Sequence, residues 1–184
     1  METPLPIVDP IVKLDDRTSK DVVEIRKRIY LTINHSLSFE QVAHELLTQR
    51  KRGKILFGHD NEIVQMLVEF CAQQKAYTDF VGLLSCRLSK TGISPELFEK
   101  EFARIFENIH LTETTKMRNY AMLLSQMLFT ESLDWVRVFS MVKLDEEMTS
   151  SSSRIFLKFL FQRLAQLLGM DGLQKRLTPL ENFP

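Results

Sequence analysis

The stretch Ser94–Ile109, SPELFEKEFARIFENI, decides the fold class. A serine directly before a proline is a helix start. The hydroxyl can take a free backbone N–H, and proline at the first helical position gives up an N–H that would be unpaired anyway. Phe98, Phe102, Ile105, Phe106 and Ile109 then recur at steps of one, three and four, drawing one apolar stripe along a helix.

The same period extends on both sides. Upstream it is carried by Val22, Ile25, Ile29 and Ile33, then by Val42, Ala43, Leu46 and Leu47. Ile63, Met66, Leu67 and Phe70 follow, then Tyr77, Phe80, Val81, Leu84 and Leu88. Downstream it returns in Met117, Tyr120, Ala121, Leu124 and Leu128, in a short segment from Ser132 with Val136 and Phe139, and in Ile155, Phe159, Leu160, Leu164 and Leu167. Between these runs lie stop and start signals. Ser38 with Gln41 reads as a capping box, Asp60 as a cap, Lys90-Thr91-Gly92 as a stop, and the serines Ser150–Ser153 as a loop ending in an N-cap. Gly169 should end the last long helix, with one more turn over 172–177.

No run alternates as a strand would. Consecutive helices with short connections pack antiparallel. Pairing them gives hairpins that start near residues 18, 60, 95 and 132, a repeat of about 35–42 residues that suits two-helix solenoids. The tetratricopeptide signature is absent. The prediction is all-α: about eight helices in a HEAT-like stack of antiparallel hairpins, wound as a right-handed solenoid over residues 18–177. Residues 1–17, with Pro4, Pro6 and Pro10, are expected to be an extended lead-in, and 178–184 a tail.

Composition agrees. The 184 residues are 44% hydrophobic and 26% charged, enough apolar surface to exclude disorder for most of the chain. Thirteen Phe stand beside 3 Tyr and 1 Trp, with only 6 Gly and 6 Pro, a mixture rich in packing residues and poor in turn formers. Twenty-four basic residues balance 24 acidic ones, unlike a nucleic-acid arm or an acidic tail. No apolar run reaches the roughly 18 residues of a membrane span, and the acidic, proline-broken start is unlike a signal peptide, so an intracellular protein is expected.

Catalytic patterns fail on spacing. His44-Glu45 opens like a zinc-protease helix, but the position four after His44 is Thr48, not a second imidazole. His35, His44, His59 and His110 show no ligand spacing, and Gly53 and Gly58 belong to no phosphate-binding loop. Cys71 and Cys86 lie on apolar stripes and read as small core residues. The expectation is no enzyme, no metal and no cofactor.

What remains is charge pattern. Arg26, Lys27 and Arg28 form one basic cluster; Arg50, Lys51, Arg52 and Lys54 form another on a loop. Either is a solvated face or a contact for RNA phosphates or an acidic partner. Asp145, Glu146 and Glu147 make the most polar loop, shortly before Arg154 and Lys158, with Trp135 on the preceding helix. These six residues are the candidate partner-binding set.

Five strings, IYLTINHSLSF (29–39), CAQQKAYTDFVGLL (71–84), ETTKMRNYAMLLSQMLFT (113–130), ESLDW (131–135) and EEMTSSSSRIFLK (146–158), resemble the second helical module of the nucampholin family of pre-mRNA splicing factors. The resemblance covers Asp21 to Leu177 in order; its most specific element is SSSRIF after an acidic loop. That module is of the MA-three class, HEAT-like domains shared with the large scaffold of translation initiation. The resemblance implies a nuclear, non-catalytic spliceosomal scaffold that docks on core spliceosomal proteins near the 5′ exon. In such relatives a DEAD-box helicase is gripped mainly through an N-terminal module that this sequence does not contain. Two alternatives remain: a translation-type module that binds a DEAD-box helicase directly, or direct RNA binding through the basic clusters. The sequence departs from the family pattern at the basic, glycine-bearing loop Arg50–Gly58.

Overall fold

The periodic isoleucines of the first helix show how the stripes are used. Ile25, Ile29 and Ile33 are at most 4% exposed, because each faces a neighbouring helix. A computed structural model describes residues 10–141 and 150–182. Among the described residues there are eight α-helices and no strand: α1 Pro10–His35, α2 Phe39–Gln49, α3 Asp60–Gln73, α4 Asp79–Thr91, α5 Pro95–Glu107, α6 Thr114–Phe129, α7 Trp135–Met141 and α8 Ser151–Leu177. Short 3-10 turns cover Ile109–Leu111 and Thr178–Asn182.

The helices pack in two layers. In one, α1 lies on α3, α3 on α5 and α5 on α7; in the other, α2 lies on α4, α4 on α6 and α6 on α8. Hairpin contacts α1 to α2 and α3 to α4 join the layers, and α3 also packs on α6. This is the HEAT-like arrangement. Each hairpin has one apolar stripe that it cannot bury alone, and stacking covers it with the next hairpin. The hairpins from Asp60, Pro95 and Trp135 start 35 and 40 residues apart, within the predicted repeat, whereas α1 begins at Pro10 and makes the first repeat 50 residues long.

The phenylalanine excess goes into the contacts between helices. Phe98 and Phe156 are almost fully buried, and Phe156 meets Phe106 edge to face at 6.0 Å. Trp135 stacks on Phe139 and Phe139 on Phe161, each at 5.8 Å, tying α7 to α8. Arg118 lies over the half-buried Phe159 ring at 5.6 Å.

Several local expectations are corrected. Residues 10–17, expected to be extended, belong to α1, and residues 1–9 of the expected lead-in lie outside the described residues. Ser38 is the N-cap of α2, but its hydroxyl donates to the Glu40 carboxylate instead of closing a capping box with Gln41. That bond also holds the Glu40 carboxyl below its usual range. Asp60 does not cap α3. His59 has that position, and Asp60 in the first turn receives Arg50. Helix α7 starts at Trp135, later than expected, because Ser132 and Leu133 close the end of α6 and Asp134 caps α7 by accepting the Arg137 N–H at 2.9 Å. The α8 stripe is Phe156, Leu157, Leu160 and Leu164, which leaves Ile155 41% exposed. At Gly169 the helix has non-helical angles (φ 72°, ψ 166°), as the stop reading anticipated, and a further helical segment follows.

Candidate docking site

Catalytic chemistry finds no support in the buried groups. Cys71 is buried on α3, its Sγ donating to the Asn119 carbonyl at 3.7 Å, and burial pushes the thiol up to about 12. A thiol so shifted carries almost no thiolate near neutrality. Cys86, also buried, contacts the Thr130 hydroxyl at 3.1 Å. Among the described residues no group of three or more His, Cys, Asp or Glu side chains could hold a metal ion, and no helix is long and apolar enough to cross a membrane.

The seven basic candidates divide by side-chain direction. Residues 26 and 28 are roughly 200° apart around a helix, so they cannot share a face. Arg26 turns to α3, donating to Glu62 at 2.6 Å and Gln65 at 2.7 Å, with Glu69 at 3.6 Å. Arg28 reaches Gln49 on α2 at 3.3 Å. Arg50 forks onto Asp60, with both oxygens of the carboxylate at 2.5 and 2.6 Å, and this pair raises the guanidinium's pKa. These three arginines bind the fold to itself. Lys27, Lys51, Arg52 and Lys54 are exposed and have no ion pair or side-chain hydrogen bond among the described residues.

Trp135 is also occupied. It is 8% exposed, and its indole N–H donates to the Leu128 carbonyl at 3.1 Å. It lines an open groove of about 710 Å³ between the α6–α7 connection and the end of α8, together with Glu99, Arg137 and Lys175. Glu99 in this groove is almost fully buried, with Arg137 at 3.5 Å. A second groove of about 720 Å³ runs between α1 and α2 past His35, His44 and Gln49.

On α8 the outer face is open. Arg154, Ile155 and Lys158 are exposed, with both cations unpaired among the described residues. Residues 154 and 158, four apart, share one helix face, and Ile155 adds apolar area beside them. The helix is fixed underneath by Phe156 and Leu160 and at its start by Ser150, whose hydroxyl accepts the Ser153 N–H at 3.1 Å. Of the serine run, Ser150 is the N-cap, while Ser151–Ser153, expected as loop, are the first turn of α8. Asp145, Glu146 and Glu147 lie outside the described residues.

Sequence reasoning passed over three features. Asn119 on α6 is buried, and its Nδ2 donates to the carbonyls of Cys71, Ala72 and Gln74 at 3.1, 3.4 and 2.7 Å, closing the free end of α3 from another helix. Glu131 takes a left-handed conformation (φ 55°) in the position after a helix where glycine is usual. Ile55 and Phe57 are 40% and 56% exposed beside the second basic cluster. Gly53 and Gly58 were the available signal for a shaped loop there.

A family model described as the MA3 domain matches residues 25–134. The pre-mRNA-splicing factor cwc22 of Emericella nidulans is 40% identical over 166 residues, which is 90% of this chain and 18% of that protein. The pre-mRNA-splicing factor CWC22 homolog of Homo sapiens is 41% identical over 169 residues, again 90% of this chain and 18% of that protein. That of Drosophila melanogaster is 36% identical over 165 residues, 88% and 12%. The chain thus spans about a fifth or less of the length of the curated relatives it matches. Stacked helical hairpins and a family match from the middle of α1 to the start of α7 lead to one assignment: the chain belongs to the MA3 domain family.

Proposed function

We propose that this chain is the MA3 module of a pre-mRNA-splicing factor, acting in the nucleus as a non-catalytic docking module on core spliceosomal proteins near the 5′ exon. The names of the relatives, pre-mRNA-splicing factors matched over about nine-tenths of this chain, support the splicing role. The observation that carries the docking surface is the face of α8. Arg154, Ile155 and Lys158 stand free on a helix whose opposite side is fixed in the core. A rigid helix face with two cations and an apolar side chain beside them offers contact area at little ordering cost. Asp145, Glu146 and Glu147, which lie outside the described residues, precede α8 in sequence and belong to the proposed partner-binding set by sequence alone. Trp135 contributes from beneath, holding α7 against α8.

Arg154→Glu with Lys158→Glu tests this. The pair should cut co-purification with activated spliceosomes about tenfold or more while helical circular dichroism is unchanged. Unchanged association would refute the α8 face. Tight binding of the chain alone to a DEAD-box helicase, by titration calorimetry, would favour the translation-type reading instead.

A further inference from the structure

The loop between α2 and α3 is built as a rigid projection. Arg50 on Asp60 clamps its two ends, and Leu56, fully buried, pins its middle, with its N–H donating to the Gln49 carbonyl at 3.0 Å. Successive turns run through it: Lys54 N–H to the Lys51 carbonyl at 3.0 Å, then Phe57 N–H to the Lys54 carbonyl at 3.2 Å. Gly53 and Gly58 have φ of +79° and +78°, so the chain turns twice through the left-handed region at positions where a side chain would be strained. Bonded turns of this kind hold residues i and i+3 within about 7 Å at Cα. Lys51, Lys54 and Phe57 therefore stand at even, short steps.

We propose that the Lys51–Phe57 loop contacts single-stranded RNA, with Lys51, Arg52 and Lys54 on neighbouring phosphates and a base stacked on Phe57. Three observations favour it. All three cations lack an intramolecular partner among the described residues. A 56% exposed phenylalanine has no packing reason to stand in water, whereas a base supplies one. The loop also projects, with residues 51–55 exposed around the single buried anchor Leu56. An amphipathic acidic helix needs a groove with walls; a phosphate-and-stack contact needs only cations and one ring face. The choice of RNA over DNA rests on the splicing reading; the contact chemistry does not.

The test is fluorescence anisotropy of the 184-residue chain with a labelled single-stranded oligouridine, titrated from low to moderate salt. Three neutralised phosphates give a slope of log K against log salt of about −2. Phe57→Ala should weaken binding about 5- to 150-fold with the slope retained. Lys51→Ala, Arg52→Ala and Lys54→Ala together should bring the slope close to zero, and Lys27→Ala should change nothing. All these side chains are exposed, so helical circular dichroism checks that each variant folds. Absence of binding at about 50 mM salt, or binding indifferent to both Phe57→Ala and the triple change, overturns the proposal. So does capture of a glutamate-rich helical peptide, with the same variant dependence, where the oligouridine does not bind; the loop would then be a protein contact. The splicing reading is judged separately, by the α8 variants in assembled spliceosomes.

Discussion

The Tyr77 hydroxyl fills the space a side chain on Gly82 would need: a Cβ built at Gly82 would meet it at 2.1 Å. The same hydroxyl donates to Gln126 Oε1 at 3.1 Å, so the tyrosine links the start of α4 to α6 through the gap that the glycine leaves. A glycine inside a helix normally costs about 0.5–1 kcal/mol relative to alanine. Here the sign reverses. Gly82→Ala should destabilise the domain by about 1–3 kcal/mol, the usual range for overpacking. In a Tyr77→Phe background the same change should cost at least about 1 kcal/mol less. Urea unfolding of the four proteins of the cycle measures this, and a coupling of zero would show that the tyrosine moves away freely.

Glu131 gives a second test. The end of α6 is closed by the Ser132 N–H on the Met127 carbonyl at 2.9 Å and the Glu131 N–H on the Leu128 carbonyl at 3.1 Å. This closure requires a left-handed residue at 131, where a non-glycine residue pays roughly 1–2 kcal/mol. Glu131→Gly relieves that strain but loosens the unfolded chain, for a net gain of about 0.5–1 kcal/mol. Glu131 also pairs with Arg176, so the comparison belongs in an Arg176→Ala background, where no ion pair is lost. A lower urea midpoint for Glu131→Gly in that background would count against the strain.

Alkali should unfold the domain early. Burial raises the Cys71 thiol from 9.0 to about 12, and burial also leads in raising the Tyr77 and Tyr120 hydroxyls above 10.0. Each folded group holds its proton more tightly than the unfolded one. Their contribution is therefore complete below about pH 9 and falls as the pH rises towards 12, because the unfolded chain releases protons first. The urea midpoint should decline over this window, less steeply for Tyr77→Phe. A midpoint constant to pH 11 would contradict the burial assigned to these groups.

How far the sequence could be read follows from the range of the interactions. Helix starts such as Ser94-Pro95 and stops such as Gly169 act within a few residues, so their positions were legible, although the Ser94 hydroxyl makes no capping hydrogen bond. The stripes of Phe98, Phe102 and Ile105 report burial without naming a partner. The candidate docking residues were only half legible for the same reason. Arg26, Arg28 and Arg50 look like Lys51, Arg52 and Lys54 in the chain, and they differ only because Glu62, Gln49 and Asp60 are brought to them. Ser38 missed its capping box because a carboxylate two residues on competed for its hydroxyl.

The sequence by itself determined the all-α class, the hairpin repeat and the balance of charge, because periodicity and capping are properties of short segments. Only the tertiary structure decided which cations are free among the described residues, that Trp135 is buried with its indole N–H on the Leu128 carbonyl, and that Asn119 closes a helix end 45 residues away. Those outcomes depend on which helices meet. A charge or a hydrogen-bonding group is spent or left available by what packing places beside it.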